Sequence, residues 1–311
     1  MPLYFRPVAL LLVSLACAQA VGLVTGSARA AVRSAPCHLR ARPTLNTGHE
    51  PPTRTAAIAD ARANGGDARG RTAGPQPELA IPGDTLETLP MHVVYTLACS
   101  GAVLALVCRA AFVAPAPTAL ALGAALLLGD FLSSLIHWAT DNYGDINTPL
   151  VGTVCAAFQG HHKAPWTITY RSFYNNVHKI AKTALPAVAL GAACLPPVGA
   201  AFFAATLYTQ VLAQELHRWS HCLPAQLAPW QLALQNSRLV LSRRTHLLHH
   251  AQPFDAHYAI LLGVANPIPF YRWLEARVYA ATGVEANCWR EEKGGDDVRA
   301  RALARSGAPA R

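Results

Sequence analysis

The stretch TALPAVALGAACLPPVGAAFFAATLYTQVLAQ (183–214) decides how this chain is arranged. It holds no charged residue and is broken near its middle by Pro196 and Pro197. One helix over the whole stretch would far exceed the ~20 residues that a bilayer crossing needs. Two helices, one on each side of the prolines, would sit at the short limit. Upstream, MHVVYTLACSGAVLALVCRAAF (91–112) and TALALGAALLLGDFLSSLI (118–136) are each about long enough to cross, with VAPAP supplying a tight reversal between them.

Hydropathy alone does not choose between one crossing and two, but the histidines do. His137 closes the second apolar run, His161, His162 and His178 follow it, and His217, His221, His246, His249 and His250 lie beyond 183–214. A single crossing would divide them between the two faces of the membrane. Two crossings put all nine on one face. The same face then gathers Lys163, Arg171, Lys179, Lys182, Arg218, Arg238, Arg243 and Arg244, against Arg109 near the opposite turn. That asymmetry favours an all-α integral membrane protein with about four transmembrane helices and its histidine face in the stroma or cytosol.

Composition agrees. The chain is 52% hydrophobic and 14% charged, well below the roughly 25% charged residues of soluble domains. A net charge of +9 fits contact with anionic lipid or an acidic partner protein. The bases are scattered without a nucleic-acid motif, so no nucleic-acid partner is expected. Eight cysteines without a C-x-x-C spacing signal neither a zinc ribbon nor a redox dithiol.

The first 49 residues lack Asp and Glu and contain an apolar core followed by an Arg/Ala/Ser-rich stretch. We read 1–49 as a targeting sequence, a transit peptide possibly preceded by a signal peptide. Residues 50–90 read as a disordered linker, 91–291 as the membrane domain and 292–311 as a flexible basic tail. This organisation points to a plastid membrane, with the endoplasmic reticulum as the alternative.

Spacing makes the histidines a constellation. His217 and His221 share one helical face at i and i+4, as do His137 and Asp141. His246, His249 and His250 fall at about 0°, 300° and 40° on a helix, again one stripe. Each spacing alone is weak, and the isolated His38, His49 and His92 are read as solvated or structural. GHH, H-x-x-x-H and H-x-x-H-H on one face form a strong combination. Nine imidazoles exceed the four ligands of one zinc site and suit two metals. Carboxylate di-iron bundles need Glu-x-x-His, which is absent, so a histidine-rich di-iron centre remains.

LIHWATDNYG (135–144), TPLVG (148–152), FQGHHKAPWTIT (158–169), FYNNVH (173–178), QELHRWSH (214–221), LSRRTHLLHH (241–250) and the Tyr258–Gly263 tract resemble the Kua-type lipid desaturases, in matching order from about residue 120 to 290. The resemblance is nearer the plastid phosphatidylglycerol palmitate trans-3 desaturases than the plasmanylethanolamine desaturases. It implies a desaturase using O2 and two iron ions (Fe2+), with His137, His161, His162, His178, His217, His221, His246, His249 and His250 as metal ligands. Asp141 matches the acidic position after the first histidine and is expected to fix an imidazole tautomer from the second shell, direct ligation being the alternative. Asn175 and Asn176 are assigned as turn-formers or partners of a metal-bound water. Lys163, Arg171, Arg243 and Arg244 are candidates for the lipid phosphate. Tyr170 departs from the family, where a basic residue is expected.

The implied reaction places a trans double bond at carbon 3 of palmitoyl phosphatidylglycerol. Vinyl-ether formation in plasmanylethanolamine, or lipid hydroxylation, are the alternatives on the same scaffold. No haem, Rossmann or iron–sulfur motif is present, so electrons must come from a separate donor protein, ferredoxin in a plastid. Two crossings within 183–214 predict that tags at Pro196 and Ala225 map to opposite sides of the membrane; finding both on one side would refute that topology.

Overall fold

The computed structural model describes residues 75–306, and every regular element among them is helical. The segment 1–49, expected to be a targeting sequence, lies outside the described residues. The chain forms two compact units. One contains Leu86–Leu132 and Arg171–Leu216; the other contains 75–85, Ser133–Tyr170 and 217–306.

Prolines set the helix limits in the first unit. Helix α1 (Pro90–Val113) begins on Pro90, and α2 (Pro115–Asn142) begins on Pro115 immediately after Ala114. Proline suits a helix's first turn because it has no N–H to lose there. The same chemistry resolves 183–214. Helix α4 (Phe173–Cys194) ends at Leu195, which is extended at φ −109 and ψ 149, and α5 (Pro197–His221) starts two residues on. A residue before proline is pushed out of the helical region, so the long apolar stretch is two helices. Of all the described helices, α1 and α2 are long and apolar enough to cross a membrane. Helices α4 and α5, at 22 and 25 residues, have the length of a crossing.

In this unit α1 packs chiefly against α4. Leu122, Ala125 and Ala205 form a small core with Val107 and Phe202. Gly129 lets α2 and α5 approach closely: a Cβ there would fall 2.0 Å from Thr209 Oγ1, and Gln210 Nε2 donates to the Gly129 carbonyl at 3.1 Å. Asn175 and Asn176 are buried in the first turn of α4 rather than standing in a loop. Asn176 Nδ2 donates to Glu215 Oε2 and to the Gln214 carbonyl, while Asn175 Nδ2 donates to the Glu87 carbonyl.

The second unit contains α3 (Gly152–Lys163), a 3-10 turn (Pro165–Tyr170), α6 (Pro229–Asn236), α7 (Arg243–His249), α8 (Phe270–Thr282) and α9 (Asp296–Ser306). Its centre is Glu275, fully buried. One carboxylate oxygen accepts from Trp138 Nε1 at 3.1 Å and the other from Trp289 Nε1 at 2.9 Å. Burial raises the Glu275 pKa to about 7.

Two expectations about the chain ends change here. Residues 296–306 are helical, with Val298 and Ala302 buried against Ala276, Ala286, Cys288 and Trp289. The tail expected to be flexible from 292 is therefore part of the core up to its last described turn. Residues 75–89, expected to be linker, are tied down by specific hydrogen bonds such as Glu78 N to Thr167 Oγ1 and Asn175 Nδ2 to the Glu87 carbonyl. Both segments are too polar or too short to advertise a helix-face periodicity.

Replacing Gly129 with Ala forces a methyl group into Thr209. We expect it to lower stability by about 1–3 kcal/mol, the usual cost of overpacking, measurable as a drop in the unfolding midpoint in detergent; an unchanged midpoint would show that the two helices have room to part.

Candidate metal centre

Four helical segments of the second unit deliver the histidines. The last two turns of α2 carry His137 and Asp141, and the last turn of α3 carries His161 and His162. The C-terminal end of α5 carries His217 and His221; α7 carries His246 and His249, with His250 as its cap. Local sequence fixes these ends. Pro165 follows the C-cap of α3, and Ser242 Oγ accepts from Thr245 N at the start of α7. Arg243 Nη1 donates to the carbonyls of His221 and Cys222 at 2.9 and 3.3 Å. That contact satisfies orphan carbonyls at the end of α5 and holds the start of α7 against it.

The side chains sort into two groups. In the first, His161, His217, His221, His246 and His250 bring their ligand atoms within 4.8 Å of one another; in the second, His137, Asp141, His162 and His249 do the same. His221 Nε2 lies 2.9 Å from His161 Nε2, 3.2 Å from His217 Nε2 and 2.8 Å from His246 Nε2. His250 Nε2 is 3.0 Å from His246 Nε2. In the second group Asp141 Oδ2 lies 3.3 Å from His137 Nε2, 3.5 Å from His162 Nε2 and 3.4 Å from His249 Nε2.

Tautomers follow from what stands behind the rings. His137 Nδ1 is 2.9 Å from the Tyr258 carbonyl, and His249 Nδ1 is 2.9 Å from the Ala256 carbonyl. A carbonyl only accepts, so each Nδ1 carries the proton and each inward Nε2 of a neutral ring is a bare lone pair. The Asp141 carboxylate has no hydrogen-bond donor, although both its oxygens are buried. In the first group the buried Nδ1 atoms of His217 and His246 likewise lack a partner. A buried carboxylate facing imidazole lone pairs is costly unless a cation stands among them. The donor set of each group fits a metal ion.

Protonation points the same way. Burial, with neighbouring imidazoles, pushes His161 down to about 3 and holds His162, His246 and His250 well below the usual histidine range. These rings are neutral near pH 7, the form that binds metal.

The sequence candidates divide accordingly. Eight of the nine histidines fall in the two groups. His178 belongs to neither: it stacks on His92 with ring centroids 3.6 Å apart, and its Nδ1 meets the Asn175 carbonyl at 2.8 Å. Asp141 stands among the imidazoles at ligand distance rather than behind them, because one helical turn places it beside His137. Asn176 is hydrogen-bonded to Glu215 and to the Gln214 carbonyl, and Asn175 to the Glu87 carbonyl and Arg171. Of the phosphate candidates, Arg243 caps α5, and Arg171 Nη1 donates to Asn175 Oδ1 at 2.7 Å. Lys163 and Arg244 remain candidates. Tyr170, the departure from the family, donates its hydroxyl to the Pro75 carbonyl at 2.8 Å.

The loop 254–258 supplies what the sequence did not announce. Phe254 and His257 adopt left-handed φ values of 66 and 62, unfavourable for non-glycine residues. That path carries the Ala256 and Tyr258 carbonyls to the two rings and stacks Phe254 on His162, centroids 4.4 Å apart. Tyr258 itself accepts from Asn142 Nδ2 and donates to the Phe254 carbonyl. A backbone carbonyl has no residue-type signature. The Asn142 and Tyr258 side chains gave the nearest signal, one beside the acidic motif position and the other opening the last matching tract.

An all-helical unit with two adjoining groups of imidazoles, mostly buried and each able to hold a metal ion, defines a histidine-rich class of helical protein. The chain belongs to the lipid desaturase domain family, whose model matches residues 126–289. It is 41% identical over 181 residues to fatty acid desaturase 4, chloroplastic, of Arabidopsis thaliana, covering 56% of this chain and 55% of that relative. It is 30% identical over 176 residues to plasmanylethanolamine desaturase 1 of Mus musculus, covering 51% and 64%. With plasmanylethanolamine desaturase of Myxococcus xanthus it shares 30% over 202 residues, covering 60% and 70%. The match thus spans a little over half the length of the first of these relatives. No solved structure matches.

Removing one ligand should separate the groups from their surroundings. His246→Ala and Asp141→Asn are expected to lower bound metal per chain, whereas His178→Ala should leave it unchanged. Elemental analysis of purified protein decides; equal loss in all three variants would return His178 to the ligand set.

Proposed function

We propose that the chain is an O2-dependent membrane lipid desaturase that places a trans double bond at carbon 3 of palmitoyl phosphatidylglycerol in a plastid membrane. The observation that carries the metal part is the Asp141 carboxylate, buried without a donor among three imidazole nitrogens. On this reading His161, His217, His221, His246 and His250 hold one iron, and His137, Asp141, His162 and His249 hold the other. When bound, the two irons and O2 supply an oxidant able to take hydrogen from an unactivated alkyl chain. The balance is –CH2–CH2– + O2 + 2 e⁻ + 2 H⁺ giving –CH=CH– + 2 H2O.

The chain's own residues supply position and environment. The Tyr258 and Ala256 carbonyls hold His137 and His249 in one tautomer, which fixes the direction of each lone pair. On this reading a slot between apolar helices would hold the acyl chain and fix which carbon approaches the irons; orientation of this kind is worth roughly 7–11 kcal/mol in well-placed systems. His137 lies near the C-terminal end of a helix long enough to cross the membrane. A site at that level suits a carbon close to the head group. Lys163 and Arg244 are the cations best suited to the phosphate, since Arg243 and Arg171 have protein partners.

Four crossings by α1, α2, α4 and α5 would leave every metal ligand on one face. The two electrons per turnover come from a separate protein, and the basic surface on that face favours an acidic ferredoxin. The plastid assignment draws on the Arabidopsis relative, which is named as chloroplastic, and on the expected targeting sequence. The mouse and Myxococcus relatives support plasmanylethanolamine as the second substrate reading.

Expression of the chain from residue 70 onward, in a host that makes phosphatidylglycerol but no trans-3-hexadecenoate, with ferredoxin supplied, tests this. A new trans-3 bond confined to phosphatidylglycerol and lost in His161→Ala is the expected result. A vinyl ether in ethanolamine lipids would assign the other substrate; no new lipid from iron-loaded protein would overturn both.

A further inference from the structure

Helix α3 must aim two adjacent residues, His161 and His162, into two different groups. Successive helical side chains point about 100° apart, so a small rotation of α3 would misplace both imidazoles at once. At 12 residues α3 is too short to hold its own position without tertiary support. The residue before the pair is Gly160, a poor helix former by comparison with alanine.

The structure gives that glycine a reason. A Cβ built on Gly160 would lie 2.3 Å from the Ala80 Cβ, while the Ala80 Cα is 3.7 Å away. Residues 75–80 therefore run directly over the last turn of α3. They are pinned by the 3-10 turn that follows. Tyr170 Oη donates to the Pro75 carbonyl at 2.8 Å, Trp166 Nε1 donates to the Gln76 carbonyl at 3.0 Å, and Glu78 N donates to Thr167 Oγ1 at 2.9 Å. Four attachments in six residues make a strap across the segment that carries the two histidines.

We infer that residues 75–80 are a positioning element of the metal centre, with Ala80 seated on Gly160 setting the rotation and depth of α3 so that His161 and His162 reach their separate groups. Tyr170, the departure from the family pattern, is one of its anchors. The inference rests on the metal reading above.

The test uses the purified full-length chain, with cobalt(II) alone as the metal probe. Metal per chain, the apparent dissociation constant and the ligand-field spectrum would be measured together with hydrogen exchange of residues 75–80. Gly160→Ala should speed exchange of the strap, shift the cobalt spectrum and weaken binding about tenfold, the lower end of the effect of losing a supporting contact. Adding Ala80→Gly removes the offending methyl and leaves only the ordinary 3.7 Å contact; the double variant should recover all three readouts. Tyr170→Phe should loosen the strap with a smaller effect on the metal. A Gly160→Ala protein that frees the strap yet binds cobalt like the parent, or a double variant that recovers nothing, would overturn the inference. A parent chain that binds no cobalt, or a His246→Ala variant that binds it equally well, would instead overturn the metal reading and the inference with it.

Discussion

The constraint on which the second unit depends is a shortage of protons. Around Asp141 every inward-facing atom whose state is fixed by its surroundings is an acceptor. Both Asp141 oxygens are buried there without a hydrogen-bond donor, an arrangement that a cation among the imidazoles would satisfy. Much of the neighbouring structure maintains that condition. The Tyr258 and Ala256 carbonyls keep protons on the outer nitrogens, and Arg243 spends its guanidinium on α5 carbonyls rather than on the carboxylate.

What was legible in the sequence follows from the same physics. Apolar runs announce helices because a helix satisfies its own backbone, and Pro196–Pro197 told where the longest run had to break. Histidine spacing at i and i+4 made one face of α5 and one stripe of α7 readable without any partner in view. His178 was not separable from the others, since FYNNVH looks the same whether its imidazole meets a metal or stacks on His92. Spacing left Asp141 open between standing behind an imidazole and direct ligation, because it gives direction along a helix and not depth; the structure groups its carboxylate with the nitrogens of His137, His162 and His249. The carbonyl anchors, the strap over Gly160 and the packing of α9 depend on tertiary proximity between residues far apart in sequence.

Glu275 shows a different use of a buried acid. Both of its oxygens accept from indole N–H groups, and its neighbours are carbon-rich rather than basic. Its raised pKa means that the folded state binds the proton more tightly than the unfolded chain. Its contribution is full below the ordinary carboxylate range and is lost as pH rises through about 7. Trp138 follows His137 directly, so this pairing also steadies the helical turn that carries a histidine of the second group.

The order in which the ligands occur along the chain has a consequence for assembly. His137 and His250 are separated by most of the domain, with α3, α4 and α5 between them. The second group cannot close until translation has passed His249, nor the first until it has passed His250, and α2 with Asp141 will by then have been made. A metal ion arriving last would join segments that until then were free to drift, in the manner of a cross-link that removes chain entropy from the open state. Metal supply would then govern how much of the protein survives after synthesis, as well as how much of it is active.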